Sequence, residues 1–309
     1  MEAHVPVMLQ EILGILESFV PSGGNAFFVD ATLGWGGHSE AILEKFPNLR
    51  VVGIDRDKTA LASAAERLSR YGTRFTAARA NFGELGELAA GLKEENGGNA
   101  IGVLFDYGVS NMQLTAPERG FSFQEDGPLD MRMSPDEDIP TAADIVRESG
   151  TDELAGIFRV FGEERNALRV ARGITRAKET GDAPDTTMKL VAVIRRSLPA
   201  AIQRRMGGNP ARKVFQALRI AVNSELEAIP RGLGGALELT GDGGGIIAVS
   251  YHSLEDRLVK RTFRSWETEG RGSVRTKRPE VPSEEETNAN RKARSAKMRV
   301  FTVNKGMVF

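Results

Sequence analysis

Hydrophobic and polar positions follow two different periods along the first third of the chain, one typical of buried strands and the other of helices. Residues 26–30 form a short apolar run, residues 32–38 a glycine-rich turn, and residues 39–45 have the apolar spacing of a helix. A second apolar run at residues 51–54 ends on Asp55. The pattern predicts a strand, a turn, a helix and a strand in succession, which is one unit of a parallel α/β sheet.

The same alternation continues as far as Asp106. Residues 58–70 have helical spacing, residues 74–79 are typical of a strand, and the apolar run 101–105 ends on Asp106. Strand character returns only at residues 245–250 and, in the C-terminal segment, at residues 298–309. We therefore expect an α/β fold with a parallel, doubly wound sheet and a ligand site at the carboxyl ends of its strands.

The middle of the chain has a helical period and no convincing strand. Its apolar spacing predicts helices at residues 142–147, 154–161, 168–178 and 187–198. We expect a sheet domain made of residues 1–110 and 214–309, interrupted by an all-helical insert at residues 111–213. Residues 271–293 are rich in charge, proline and serine, which predicts a flexible loop.

The glycine-rich turn indicates which kind of cofactor the first unit binds. A dinucleotide fingerprint needs a third glycine where this chain has Ser39, so Gly34, Gly36 and Gly37 do not complete it. S-adenosylmethionine has no phosphate, and the loop suits it better. Asp55 at the end of the second strand is placed to accept hydrogen bonds from ribose hydroxyls. A glycine-rich turn that binds nothing remains the alternative.

Composition excludes several chemistries and indicates a polyanionic partner. The chain has no cysteine, which excludes disulfides and thiolate nucleophiles. Its three histidines are spread along the chain, which argues against a histidine-rich metal site. Its formal charge of −1 conceals a net +8 over residues 159–213 and +7 over residues 257–299. Such basic stretches are typical of nucleic-acid binding, although solvated helix faces are the alternative. No apolar run of ~18 residues or secretion signal is apparent, so we expect a cytoplasmic protein.

Several segments together resemble the bacterial 16S ribosomal RNA cytosine-N4 methyltransferase family, of the RsmH/MraW type. They span positions from His4 to Arg299, and the block at residues 119–133 is the most specific of them; the others are residues 4–11, 30–39, 106–110, 162–165, 215–219, 252–257 and 294–299. The resemblance implies a class I (Rossmann-like) methyltransferase sheet with an inserted all-helical domain. It also implies S-adenosylmethionine as donor, no metal, and a decoding-region cytosine of 16S ribosomal RNA as substrate, presented in a small ribosomal subunit or an assembly intermediate.

The family's cofactor contacts carry over to positions that have the expected residue types. The resemblance assigns them to Gly36, Gly37, His38, Asp55, Phe82, Asp106 and Gln113. The chain departs from the family's usual residues on the expected substrate side. Tyr107 stands for leucine, Asn111 and Met112 for serine and proline, and Tyr251 for phenylalanine. Trp35 stands for arginine in the cofactor loop, and residues 208–213 lack the usual histidine and threonine.

Transfer to an exocyclic nitrogen requires alignment more than activation. The cytosine amino group is a poor nucleophile, so acceptors that hold it and favour developing positive charge would assist. Asp106 is the natural acceptor, with the alternative that it only caps its strand or binds the cofactor. His252 is a candidate to order the base or take up the proton, although a lone histidine is often structural. Tyr107 and Tyr251 are candidates to stack on an extruded base.

Four cations and two phenylalanines complete the set of candidate residues. Arg204, Arg205, Arg212 and Lys213 are expected to contact phosphates, with RNA backbone also held at residues 207–208. Phe121 and Phe123 flank a turn, where core packing competes with base stacking. Two other functions stay open: a non-catalytic RNA-binding module with a vestigial cofactor fold, and methyl transfer to DNA or protein.

Overall fold

The computed structural model describes residues 6–21, 23, 26–206 and 208–306, and within them it contains a seven-stranded sheet. The strands are β1 (Ala26–Asp30), β2 (Leu49–Asp55), β3 (Phe75–Arg79), β4 (Ala100–Asp106), β5 (Thr240–Ser250), β6 (Gly272–Val274) and β7 (Lys297–Val303). Their order across the sheet is β3-β2-β1-β4-β5-β7-β6. The first five strands are parallel, whereas β7 runs antiparallel to both β5 and β6. The expected α/β class is confirmed, and the antiparallel edge is the departure from a purely parallel sheet.

Helices connect the strands and form the middle of the chain. The first six are α1 (Leu9–Glu17), α2 (Gly37–Lys45), α3 (Lys58–Leu68), α4 (Leu85–Asn96), α5 (Asn111–Thr115) and α6 (Ala142–Glu148). They are followed by α7 (Thr151–Val160), α8 (Ala167–Glu179), α9 (Thr187–Ser197), α10 (Ala200–Arg205), α11 (Arg212–Asn223), α12 (Glu225–Leu239), α13 (Ser253–Thr268) and α14 (Glu284–Ala289). The helices α6 to α9 confirm the helical period of the middle region.

The chain divides into two compact units. One, here the sheet unit, comprises Met1–Gly108 and Leu226–Phe309, and the other, the helical unit, comprises Val109–Glu225. The second boundary falls after α11 rather than before it. Val214, Leu218 and Val222 of α11 are buried in the core of the helical unit, which is why the helix belongs there.

Two apolar layers cover the faces of the sheet. Alternate residues of each central strand point to opposite faces, so Phe27 and Val29 of β1 pack in one layer and Phe28 in the other. The strands β1 and β4 are apolar almost throughout, as expected for strands that are buried on both faces. The rigid sheet fixes the positions of the residues at its carboxyl edge.

The segment expected to be a flexible loop, residues 271–293, contains regular structure. It includes β6, α14 and the start of a 3-10 helix at Arg291–Ser295. The loop prediction was wrong because β6 gains its stability from pairing with β7, a partner that a charge-rich local pattern does not reveal. The C-terminal strand, expected to run to residue 309, ends at Val303; residues 307–309 lie outside the described part. Among the described helices, none is long and apolar enough to cross a membrane.

Candidate active site

The carboxyl ends of three adjacent strands bring together the aspartates that the sequence places there. The strand β1 lies between β2 and β4, and Asp30 pairs in register with Gly53 on one side and Leu104 on the other. Asp55 and Asp106 are the last residues of β2 and β4. Because parallel strands end at one edge, the three carboxyl groups border the same region of the sheet unit.

The glycines after β1 are required by packing as well as by backbone conformation. Gly36 has a φ of +74°, and a Cβ there would lie 2.8 Å from Leu68 Cδ1. A Cβ on Gly37 would lie 2.7 Å from Pro6 Cγ. The absence of a Cβ at these two positions therefore lets the start of α2 pack closely against Leu68 of α3 and against Pro6. The structure therefore explains Gly36 and Gly37 through neighbouring protein atoms, in addition to the sharp turn and the cofactor that their pattern indicates.

Asp55 ties the glycine loop to the second strand. Its Oδ2 accepts a hydrogen bond from Gly34 N–H at 2.8 Å, and its Oδ1 accepts one from Asp57 N–H at 2.9 Å. Burial raises the pKa of Asp55 to about 6, against the opposing effect of these two hydrogen bonds. Each carboxylate oxygen retains a second lone pair, so Asp55 can still accept hydrogen bonds from a diol.

Asp30 and His38 organise the start of α2. Asp30 is buried, accepting a hydrogen bond from the Ser39 hydroxyl at 2.7 Å and from Thr32 N–H at 3.3 Å. The His38 ring is also buried, with Nε2 3.1 Å from the Val7 carbonyl oxygen. Since a carbonyl only accepts, Nε2 carries the proton of that hydrogen bond. His38 thereby turns Nδ1 toward Asp106, 3.9 Å from its Oδ2.

Asp106 is held from two directions. Its backbone N–H donates to the Thr32 hydroxyl at 2.6 Å, and its Oδ1 accepts a hydrogen bond from the Tyr251 hydroxyl at 2.6 Å. Burial raises the pKa of Asp106, while the charge of His38, the Tyr251 hydrogen bond and the charge of Lys292 oppose that rise. Its side chain is nevertheless 24% exposed, so a small polar group can reach the carboxylate.

Glu255 and His252 form the N-terminal cap of α13. Glu255 N–H lies 3.4 Å from His252 Nδ1, and Glu255 Oε2 accepts from the backbone N–H groups of Tyr251 at 2.7 Å and His252 at 3.2 Å. His252 Nε2 lies 3.1 Å from Glu255 Oε1 but makes no well-directed hydrogen bond within the described part of the chain. The candidate catalytic His252 is thus engaged in its own helix cap, and this geometry favours the structural alternative.

Phe82 and Tyr107 form an aromatic pair next to the ends of β3 and β4. Their ring centroids are 5.4 Å apart, and Tyr107 also stacks on Phe105 at 5.5 Å. Tyr107 is only 3% exposed, so its ring is a core element and does not fit the predicted role of stacking on an extruded base. Its hydroxyl has no hydrogen-bond partner among the described residues. Phe82 is half-buried.

The remaining predicted residues belong to the helical unit. Gln113 is buried, and its Oε1 accepts from Ser110 N–H at 3.0 Å in the cap of α5. The four predicted phosphate contacts are all exposed, namely Arg204, Arg205, Arg212 and Lys213. Lys213 donates to the Glu163 carbonyl at 2.9 Å. Gly207, expected to hold backbone beside Gly208, lies outside the described residues.

The two phenylalanines of the predicted turn are part of the helical core. Phe121 is buried, and the Phe123 ring meets Phe215 edge to face at 5.1 Å. This packing supports the core alternative over base stacking for both residues.

Three residues of the site were not identified from the sequence. Thr32 accepts from Asp106 N–H, Glu255 fixes the backbone of Tyr251, and the half-buried Lys292 interacts electrostatically with Asp106. Burial lowers the pKa of Lys292 to about 8, and the charge of Asp106 opposes that decrease. The spacing of His252 and Glu255, three residues apart before an apolar helix, is a capping-box signal that could have indicated Glu255. No local signal connects Lys292 to Asp106, because their segments are brought together through the pairing of β4 with β5 and of β5 with β7.

Comparison with known proteins assigns the chain to a family. The model of the MraW methylase family matches residues 1–304. A relative from Beutenbergia cavernae is 46% identical over 92% of this chain and 82% of its own length, and one from Carboxydothermus hydrogenoformans is 46% identical over 96% of both. A third, from Thermobifida fusca, is 43% identical over 96% of this chain and 92% of its own. All three are named ribosomal RNA small subunit methyltransferase H. The chain therefore belongs to the MraW methylase family.

Proposed function

We propose that this protein transfers a methyl group from S-adenosylmethionine to the N4 amino group of a cytosine in small-subunit ribosomal RNA. The observation that carries the proposal is the carboxylate of Asp106, which is held at Oδ1 by the Tyr251 hydroxyl and is still 24% exposed at the end of β4. A methylase that acts on an exocyclic amine needs such an acceptor at the reacting nitrogen. The family match over nearly the whole chain supports the methylase chemistry.

The loop after β1 and the end of β2 fit the donor. Asp55 offers free lone pairs for the two ribose hydroxyls, and the half-buried Phe82 offers a ring edge to the adenine. We assign Gly36, Gly37 and His38 to the segment that borders the methionine part. When bound, the donor supplies an electrophilic methyl group, and the residues of this chain supply alignment.

Asp106 acts on the amine of the cytosine. The amino group donates a hydrogen bond to Oδ2, the oxygen that Tyr251 does not occupy, and this contact strengthens as positive charge develops on nitrogen. After transfer, the proton leaves the nitrogen for the same carboxylate. His38 Nδ1 lies 3.9 Å from Oδ2 and can take part in moving that proton onward.

The absence of cysteine separates this chemistry from methylation at carbon 5. That reaction proceeds through a covalent adduct between cysteine and cytosine, and the chain has no cysteine. An exocyclic nitrogen is therefore the acceptor that the residues of this chain support. A non-catalytic RNA-binding role does not require an acceptor such as the tethered and partly exposed carboxylate of Asp106.

The substrate class is tested by offering three acceptors to the same enzyme. We expect label from methyl-labelled S-adenosylmethionine to enter RNA of the small subunit, and not duplex DNA or ribosomal protein. The Asp106→Ala variant is the control for enzyme-dependent transfer. Equal labelling of DNA or protein would reject RNA as the substrate.

RNA binding is assigned to the two basic segments, residues 159–213 and 257–299, acting on a small ribosomal subunit or an assembly intermediate in the cytoplasm. Reversing Arg204 and Arg205 to glutamate removes two phosphate contacts. We expect the slope of log affinity against log salt to become shallower by about 1.4 to 1.8. The matched control reverses Arg231 and Lys305, which are exposed cations outside both segments. If the two double variants have the same salt slope, Arg204 and Arg205 on α10 face solvent and do not contact RNA phosphates.

A further inference from the structure

The side chain of Tyr251 already has protein partners, which does not fit the predicted role of stacking on an extruded base. Its hydroxyl donates to Asp106 Oδ1 at 2.6 Å, a short hydrogen bond to a carboxylate. Its ring lies against the backbone of Gly108, where an added Cβ would sit 3.2 Å from Tyr251 Cδ2. The ring is also packed against the apolar layer on one face of the sheet. Tyr251 is therefore committed to contacts within the sheet unit.

The backbone of Tyr251 is fixed independently of its ring. Its N–H donates to Glu255 Oε2 at 2.7 Å, and Glu255 is 1% exposed within the cap of α13. On the other side, Ser250 pairs with Lys297 at the end of β5. A rigid strand end and a helix cap thus set the direction of the tyrosine side chain.

We propose that Tyr251 is a positioning residue for methyl transfer, whose hydroxyl occupies Asp106 Oδ1 so that only Oδ2 faces the reacting amine. The inference rests on the proposed function of Asp106 as the acceptor. The hydrogen bond fixes the rotation of the carboxylate about its Cβ–Cγ bond and leaves Oδ2 for the amine. The hydroxyl can donate this hydrogen bond only while it is protonated. Burial and the charge of Asp106 raise the pKa of Tyr251 well above its usual value, so this donor persists at neutral pH.

The same hydrogen bond favours the ionised form of Asp106. Other groups also act on this carboxyl: His38 and Lys292 favour its charge, whereas the neighbouring acids Glu255 and Asp30 oppose it. Removing the hydroxyl leaves these groups in place and removes one stabilising donor. The pKa of Asp106 must then rise, and the acceptor is lost at a higher pH than in the unmodified protein.

Tyr251→Phe removes only the hydroxyl, and the chain offers a matched control. Tyr71 also has a hydroxyl in a hydrogen bond, received from Arg70 at 2.8 Å, but it is half-buried in the 3-10 segment Ser69–Arg74 before β3. The test is the pH profile of kcat/KM for RNA methylation by wild type, Tyr251→Phe and Tyr71→Phe. We expect the acidic limb of the Tyr251→Phe profile to move to higher pH, with kcat reduced on that limb and the KM for S-adenosylmethionine unchanged. Tyr71→Phe is expected to follow the wild-type profile.

Two results overturn the inference. One is an acidic limb of Tyr251→Phe that coincides with that of wild type; the other is a uniform loss of activity without a shift, which indicates packing alone. A second measurement does not need activity: Tyr251→Phe and Asp106→Ala are combined in a double-mutant cycle of urea unfolding. Non-additive effects support the Tyr251–Asp106 contact, and strictly additive effects refute it. If the wild-type protein methylates no RNA, the proposed function fails, whereas the unfolding cycle still decides whether Tyr251 holds Asp106.

Discussion

Asp55→Ala tests the cofactor site through a change whose size follows from the structure. The substitution removes the acceptor of the Gly34 and Asp57 N–H groups together with the acceptor we assign to the ribose hydroxyls. Hydrogen bonds to a charged group contribute about 1.5–3 kcal/mol, and a factor of ten in Kd corresponds to about 1.4 kcal/mol. We therefore expect S-adenosylmethionine to bind about ten to 150 times more weakly.

Isothermal titration calorimetry measures this loss directly, and pH separates the carboxylate from the loop. The pKa of Asp55 in the free protein is raised to about 6, and ribose hydroxyls prefer the ionised form. The affinity of wild type for S-adenosylmethionine should fall as pH falls through about 6. This pH dependence of the affinity should be absent in Asp55→Ala. Asp152→Ala, which removes an exposed carboxyl from α7 in the helical unit, is the control. Unchanged affinity of Asp55→Ala at neutral pH would refute the ribose assignment.

The raised pKa of Asp55 also affects folding stability, with a defined sign. Because the folded protein binds this proton more tightly than the unfolded chain does, the contribution of Asp55 to stability is full below pH ~3.8. It is lost as pH rises through about 6. Asp55→Ala should therefore reduce the free energy of unfolding by more at pH 4 than at pH 7. Urea unfolding of wild type and variant at pH 4 and pH 7 compares the two conditions.

Two further variants test the chemistry and the loop. Asp106→Ala should lower kcat for methyl transfer by more than it weakens donor binding, since the contact acts on the developing charge; losses in equal proportion would make Asp106 a binding residue alone. Gly36→Ala should reduce the free energy of unfolding by about 1–3 kcal/mol, because it combines a left-handed φ with a clash on Leu68. Gly97→Ala is the matched control for backbone strain alone, because Gly97 has a φ of +75° and open space around it. If both variants lose the same stability in thermal unfolding, Leu68 accommodates the added methyl group at no cost.

The strands that the sequence predicted correctly are those with continuous apolar runs. The strands β1 and β4 are buried on both faces, so their residues read as uninterrupted hydrophobic segments. The strand β5 was predicted only from residue 245, yet it begins at Thr240. Thr240 pairs with Ala100 across an irregular register, and the glycines between positions 241 and 245 give no local strand signal. Tertiary pairing extends the strand where propensity opposes it.

The site was predictable at strand ends and unpredictable where it depends on side-chain direction. Asp55 and Asp106 could be placed because an acid directly after an apolar run lies at the carboxyl edge of a parallel sheet. Tyr107 follows Asp106 immediately, but the alternation of the strand turns its ring into the core against Phe82. The engagement of Tyr251 with Asp106 joins residues from two strands and depends on the rotation of one side chain. Sequence spacing carries no information of that kind.

Identification of the methylated atom tests the account most directly. Small-subunit RNA is methylated by the wild-type protein, digested to nucleosides and separated by chromatography with mass detection against standards of N4- and C5-methylcytidine. The arrangement around Asp106 and the absence of cysteine predict N4-methylcytidine as the product, with none formed by Asp106→Ala. Finding C5-methylcytidine formed by this chain alone would contradict the mechanism.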